Sequence, residues 1–203
     1  INEYGILYDG VGELVDLIKW DGKNTQVIKY SNCNSQHFGI VKPLNSHQEL
    51  LFDLLQNNDI GVKLLRGPMG SGKTFLALTH AIEFIEKQKF KKIVYIRNNI
   101  EVAGSQKLGS LPGDEDDKLM PFILPLADIL GDEIVVREYI DKGTIEPVHV
   151  GFLRGRSFED SIIFVDEAEN LTIENMSLLI SRCGKNSQVW ILGDESQTDA
   201  DIF

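Results

Sequence analysis

Apolar residues fall into two kinds of run along this chain. From residue 4 to residue 30 they form three short β-type segments, residues 4–8, 13–20 and 25–30, divided by Asp9-Gly10 and by Asp21-Gly22-Lys23-Asn24. Asp-Gly between such runs is a strong hairpin signal, so this stretch predicts a small N-terminal β appendage. Residues 31–43 carry no period and read as a linker. Leu50, Leu51, Leu54 and Leu55 then recur at helical spacing behind Asn45-Ser46-His47-Gln48-Glu49. Asn45 or Ser46 is a candidate N-cap, with Gln48 or Glu49 placed to close a capping box.

Beyond the first helix the runs become nearly continuous, at residues 62–66, 91–97, 144–150, 162–165 and 188–192. Runs apolar on both faces read as buried parallel strands. A helix is predicted over residues 74–86, and a second opens at Asp114-Glu115-Asp116-Asp117 and runs toward Leu130. Those acids complement a helix dipole and read as a cap, not as a metal site. Between residues 97 and 114 lies a glycine-punctuated loop leaving the carboxyl end of a strand, where open parallel sheets bind ligands. The expected fold class is α/β: a mainly parallel sheet with helices on both faces, divided into an appendage or linker at residues 1–37 and a main domain at residues 38–203.

Length and charge narrow the function. With 203 residues the chain holds one α/β domain and an appendage, but not two large domains. A net charge of −11 opposes a broad nucleic-acid surface and leaves room only for a local basic patch. No apolar run reaches membrane-spanning length and no basic-then-apolar leader is present, so a cytoplasmic protein without a membrane partner is expected. Cys33 and Cys183 have no metal-ligand spacing and read as buried, reduced thiols; His37, His47, His80 and His149 read as structural. The first residue is Ile, so a piece of a longer protein is expected.

The candidate chemistry starts at Gly67-Pro68-Met69-Gly70-Ser71-Gly72-Lys73-Thr74, followed by Phe75, between a predicted strand and a predicted helix. Glycine, four residues, then glycine-lysine-threonine in that context is a phosphate cradle. Gly67, Gly70 and Gly72 are expected to take backbone angles closed to other residues, turning N–H groups onto a phosphate at the helix mouth. Lys73 can reach the β- and γ-phosphates and the Thr74 hydroxyl can ligate Mg2+, so the ligand read here is a nucleoside triphosphate.

Two acids close the site from a distance. The run 162–165 ends in Asp166-Glu167, which puts Asp166 at a strand's carboxyl edge, able to hold Mg2+ through water, with Glu167 next to it able to activate the attacking water. The last run ends in Gly193-Asp194-Glu195-Ser196-Gln197, placing Asp194 and Gln197 at the same edge. Gln48 has two readings, a capping residue or a side-chain amide that pairs with adenine. Arg154 and Arg156 occupy a turn, Leu153-Arg154-Gly155-Arg156-Ser157, that on its face is a solvated basic turn.

Together the cradle, Arg97 with Glu101-Val102-Ala103-Gly104, Lys107-Leu108-Gly109-Ser110-Leu111-Pro112-Gly113-Asp114, the arginine turn, Val165-Asp166-Glu167-Ala168-Glu169-Asn170 and Gly193-Asp194-Glu195-Ser196-Gln197 resemble the PhoH family of P-loop ATPases. The resemblance runs from about Phe38 to Gln197. It implies a RecA-like core similar to the first motor domain of superfamily-one helicases, with ATP and Mg2+ as ligands and ATP hydrolysis as the activity. It also implies Gln48 as adenine reader, Asp166 and Glu167 as metal-holding and water-activating acids, and Gln197 as γ-phosphate sensor. Arg154 and Arg156 would act on a neighbouring subunit's nucleotide in a homo-oligomeric ring, and single-stranded RNA would be the coupled partner. The appendage resembles the segment that joins a PIN-type nuclease domain to the ATPase in fused members. Where the family shows Arg-Pro, Asp-Glu-Ala-Gln and Gly-Asp-Pro-x-Gln, this chain has Arg97-Asn98, Glu169 and Glu195, and none of these changes removes a phosphate, metal or base residue. A small-molecule kinase and a nucleotide-gated scaffold that binds without turnover are the competing readings, and Glu167 beside the metal acid favours hydrolysis over transfer.

Overall fold

The computed structural model describes residues 2–97 and 115–194, and of residues 115–122 only the backbone. The motif residues 98–114 and Gln197 lie outside the described residues.

The appendage forms as the alternation predicts: β1 (Glu3–Tyr8), β2 (Leu14–Trp20) and β3 (Thr25–Val27) make an antiparallel sheet in that order. β3 ends at Val27, short of the expected residue 30, because the Lys29 N–H turns away to donate to Asp53 Oδ1 at 2.7 Å. Asp53 anchors the appendage more widely. It accepts from Tyr4 Oη at 2.7 Å and from Lys19 Nζ at 2.8 Å while only 2% exposed.

The expected linker is structured. β4 (Cys33–Ser35) and β5 (Gly39–Val41) form a small hairpin whose amides at Asn34 and Gln36 donate to Glu83 and Glu86, each at 2.8 Å. Three-residue strands carry too little alternation to be read, and their partners are acids some 50 residues away. Cys33 is buried as expected, whereas Cys183 is half-buried; both are free thiols.

α1 (Ser46–Gln56) starts at the N-cap Asn45, whose side chain accepts from the Gln48 N–H at 3.0 Å. Then follow β6 (Val62–Arg66), α2 (Lys73–Glu86), β7 (Lys92–Arg97), α3 (Glu115–Leu130), α4 (Glu133–Asp141), β8 (Ile145–Pro147), β9 (Ser161–Asp166), α5 (Ile173–Ile180) and β10 (Gln188–Gly193). The expected strand 144–150 is reduced to three residues. Its end is folded into a 3-10 turn, Val150–Phe152, by His149, whose Nδ1 accepts the Gly151 N–H at 3.1 Å.

β6, β10, β9, β7 and β8 lie side by side in one sheet, and every pairing is parallel. Side chains alternate between two cores, as a strand period of two requires. Ile93, Tyr95, Ile162, Phe164 and Trp190 pack with α2, α3 and α4, while Val94, Ile96, Ile163, Val165 and Val189 pack with Leu179 of α5. A parallel sheet must be covered on both faces. The inner strands β10, β9 and β7 are accordingly buried along their length, whereas the edge strand β6 leaves Val62 and Leu64 exposed on one face, short of the burial its apolar run predicted. No helix of the described residues is long and apolar enough to cross a membrane.

Candidate functional site

The site lies at the carboxyl ends of β6, β9 and β10, where three connections meet. The turn between β6 and α2 is shaped by Gly70 and Gly72, at φ +74° and φ +85°, in the left-handed region that favours glycine. Gly67 is not in that region, contrary to expectation. It leaves room instead, since a Cβ there would stand 3.3 Å from Ser71 Oγ. α2 begins at Gly72 with no side-chain cap, and such a terminus takes an anion. Ser71 Oγ is buried in the turn without a hydrogen-bond partner among the described residues. Lys73 Nζ folds onto the turn's own carbonyls, donating to Gly67 O at 2.6 Å and Pro68 O at 3.1 Å.

Gln48 joins the first helix to this turn. Its Oε1 accepts the Leu44 N–H at 2.8 Å, which is cap chemistry, and its Nε2 donates to Ser71 O at 3.2 Å. The Asn45 half of the expected capping box is present, whereas the Gln48 side chain takes the N–H one residue before the cap and adds a brace to the turn that spacing could not reveal.

Opposite the turn, Asp166 ends β9 and is 7% exposed. Thr74 Oγ1 donates to its Oδ1 at 3.3 Å and Tyr95 Oη donates to its Oδ2 at 3.0 Å. Burial, and then the charge of Asp166, push the Tyr95 phenol well above its ordinary range, so it remains a donor. Glu167 has φ +51°, unusual for a residue with a side chain, and Arg97 at the end of β7 holds its carboxylate. Asp194, just past β10, accepts the Met69 N–H at 2.9 Å, and its own N–H donates to Glu169 Oε2 at 3.1 Å. The loops after β6, β9 and β10 are thus tied to one another.

These groups border a cleft of about 550 Å³ that brings together Met69, Gly70, Ser71, Gly72, Lys73, Thr74, Phe75, Asp166 and Glu167. α3 adds Pro125, Asp128 and Ile129, for which no sequence signal existed. Among the described residues, five carboxylates, Asp128, Asp166, Glu167, Glu169 and Asp194, face two cations, Lys73 and Arg97. A polyphosphate entering so acidic a cleft needs a divalent cation with it. Hard oxygen donors at Thr74 and Asp166 fit Mg2+, which is held by one or two protein groups together with substrate phosphates. Among the described residues no group of three or more His, Cys, Asp or Glu could hold a metal alone.

Arg154 and Arg156 stand elsewhere. Arg154 is exposed, while Arg156 pairs with Glu146 and lies 4.7 Å from the Phe158 ring centroid. Glu146 is in register with Val94, three residues before the site edge at Arg97, or about 10 Å along the strand. Neither arginine lines the cleft.

One strand, β10, separates the cradle-bearing β6 from the acid-bearing β9. That order, with a glycine turn feeding a helix, defines a P-loop NTPase with a RecA-like sheet. The profile of the family described as PhoH-like protein matches residues 40–202, and the chain belongs to this family. It is 33% identical over 162 residues to the PhoH-like protein of Mycobacterium leprae, covering 78% of this chain and 45% of that one. To protein PhoH2 of Thermobispora bispora it is 35% identical over 159 residues, covering 76% of this chain and 36% of the relative. To protein PhoH2 of Bacillus subtilis it is 30% identical over 208 residues, covering 98% of this chain and 46% of the relative. The chain spans less than half the length of these relatives.

Proposed function

We propose that this chain binds ATP with Mg2+ and hydrolyses it. The observation that carries the reading is the 3.3 Å approach of Thr74 Oγ1 to Asp166 Oδ1 beside the uncapped start of α2. It brings a hydroxyl and a carboxylate from separate elements to a point where they can share one ion. In this reading the turn Gly67–Thr74 takes the phosphates, chiefly through the N–H groups of Gly70, Gly72, Lys73 and Thr74, with Gln48 and Phe75 toward the base, and Lys73 leaves the Gly67 and Pro68 carbonyls for phosphate oxygens. Thr74 and Asp166 would hold Mg2+, which supplies neutralisation of the charge on the phosphates. Glu167 orients a water and accepts its proton, and Gln197 senses the γ-phosphate.

Phosphate release with Glu167→Gln tests this. Turnover is expected to fall at least about 100-fold with ATP affinity retained. Unchanged turnover removes Glu167 as the base. ATP binding without phosphate release from the unaltered chain would favour the scaffold reading, and transfer to an added acceptor the kinase reading.

Family membership supports two wider proposals. Single-stranded RNA coupling predicts ATPase stimulation that weakens with salt, and no stimulation at any salt removes it. A homo-oligomeric ring, with Arg154 and Arg156 serving a neighbour's nucleotide, predicts that mixing an arginine-less variant with a Glu167 variant restores activity. Sizing with and without ATP and Mg2+ reads the assembly itself.

A further inference from the structure

Tyr95 lies inside the core at 2% exposure, paired in register with Phe164, and the two rings stand 5.8 Å apart. Packing alone would be served as well by phenylalanine. The hydroxyl has another destination. Asp166 follows Phe164 by two residues on the same face of β9, about 6.6 Å farther along the strand, which is the reach of a tyrosine side chain. Tyr95 Oη arrives there and donates to Asp166 Oδ2 at 3.0 Å.

The two oxygens of this buried carboxylate therefore have different partners. Oδ2 is tied from within the core, and Oδ1 faces the Thr74 hydroxyl. Rotation about the last bond of an aspartate is soft, so without a tether Oδ1 would not keep one direction. We propose that Tyr95 is a positioning residue for the metal site, fixing the rotation of Asp166 so that Oδ1 and the Thr74 hydroxyl converge on one divalent cation. The inference rests on the reading of Thr74 and Asp166 as the Mg2+ pair.

The test uses the full chain and a fluorescent ATP analogue, titrated with Mg2+ and separately in EDTA. Tyr95→Phe removes the hydroxyl, and with it both the tether to Asp166 and a polar interaction with Arg97, so the tether is read as the part of the effect that disappears when Asp166 is also changed. The Mg2+ concentration for half-maximal tight binding is expected to rise roughly tenfold, the usual scale for loss of a group that orients a metal ligand, with affinity in EDTA unchanged. In an Asp166→Asn background the same change should shift nothing further. A requirement within twofold of the parent, or an equal shift in the Asp166→Asn background, would overturn the proposal. Absence of any Mg2+-dependent binding by the parent chain would instead overturn the functional reading beneath it. Should Y95F not fold, 13C-ring-tyrosine labelling of the parent serves: a phenol C–O infrared band is expected to shift on adding Mg2+ and ADP. No response from any of the five tyrosines would also overturn the proposal.

Discussion

Arg97 and Glu167 are joined across neighbouring strands, Nε donating to Oε2 at 3.0 Å and Nη2 donating to Oε1. In the β7–β9 register Arg97 stands opposite Asp166, so the next residue comes within reach of the guanidinium. Glu167 is held at both ends, by this fork and by a backbone at φ +51°. The base proposed at Glu167 must be aimed as well as basic. Arg97→Gln should lower turnover by ~100-fold while leaving ATP affinity nearly unchanged, since small misplacements of a reacting group carry penalties of that size. Phosphate release and equilibrium binding on one preparation check this. A rise in turnover would mean that Arg97 restrains the base.

Gly72 and Gly70 share a left-handed backbone but differ in surroundings. A Cβ at Gly72 would meet Gln48 Nε2 at 3.3 Å, whereas one at Gly70 meets nothing within 4 Å. Each change to alanine should cost about 1–2 kcal/mol for the backbone, or about 2–8 °C in melting temperature. Only Gly72→Ala should also disturb the Gln48 brace on Ser71 and weaken nucleotide binding beyond the Gly70→Ala value. Paired melts and binding titrations decide it.

Asp53 holds the appendage to α1 through three donors, Tyr4, Lys19 and Lys29. Removing one partner of a buried ion pair leaves the rest unsatisfied, at a cost of about 3 kcal/mol or more. Asp53→Ala should therefore release residues 2–30 to protease while nucleotide affinity stays within about twofold, because the cradle is built elsewhere. If the segment stays protected, Asp53 is not its anchor.

Lys63 sits at 0% exposure, its Nζ donating to Leu55 O at 2.6 Å and lying 5.2 Å from the Trp190 ring centroid. Burial pulls its pKa from 10.5 down to about 7. Between those values the unfolded chain binds the extra proton, so the penalty present below pH 7 fades and stability rises with pH. Denaturant melts from pH 7 to pH 8.5 should show that rise, before the thiol of Cys33, raised by burial, pulls the other way. Lys63→Met should flatten the slope and add about 2–4 kcal/mol at pH 7.

Local patterns made much of this molecule legible. The Asp-Gly turn marks the hairpin of β1 and β2, the apolar runs of β7, β9 and β10 mark strands buried on both faces, and the spacing from Gly67 to Thr74 marks a turn whose left-handed backbone at positions 70 and 72 favours glycine. These depend on neighbours within a few residues, which is what a sequence records. What lay hidden was pairing over distance. The β4–β5 hairpin exists because Glu83 and Glu86 wait on α2, and residue 150 leaves its strand because His149 caps a turn.

The chain's own sequence determined a phosphate-type cradle, a set of buried parallel strands and an acid pair at the end of one of them. Only the tertiary structure decided that β10 lies between β6 and β9, that Asp166 is shared by Thr74 and Tyr95, and that Glu167 answers to Arg97. The reason is physical: strand order and register are settled by how whole faces pack, and contacts 70 to 92 residues apart in sequence appear only once that packing is complete.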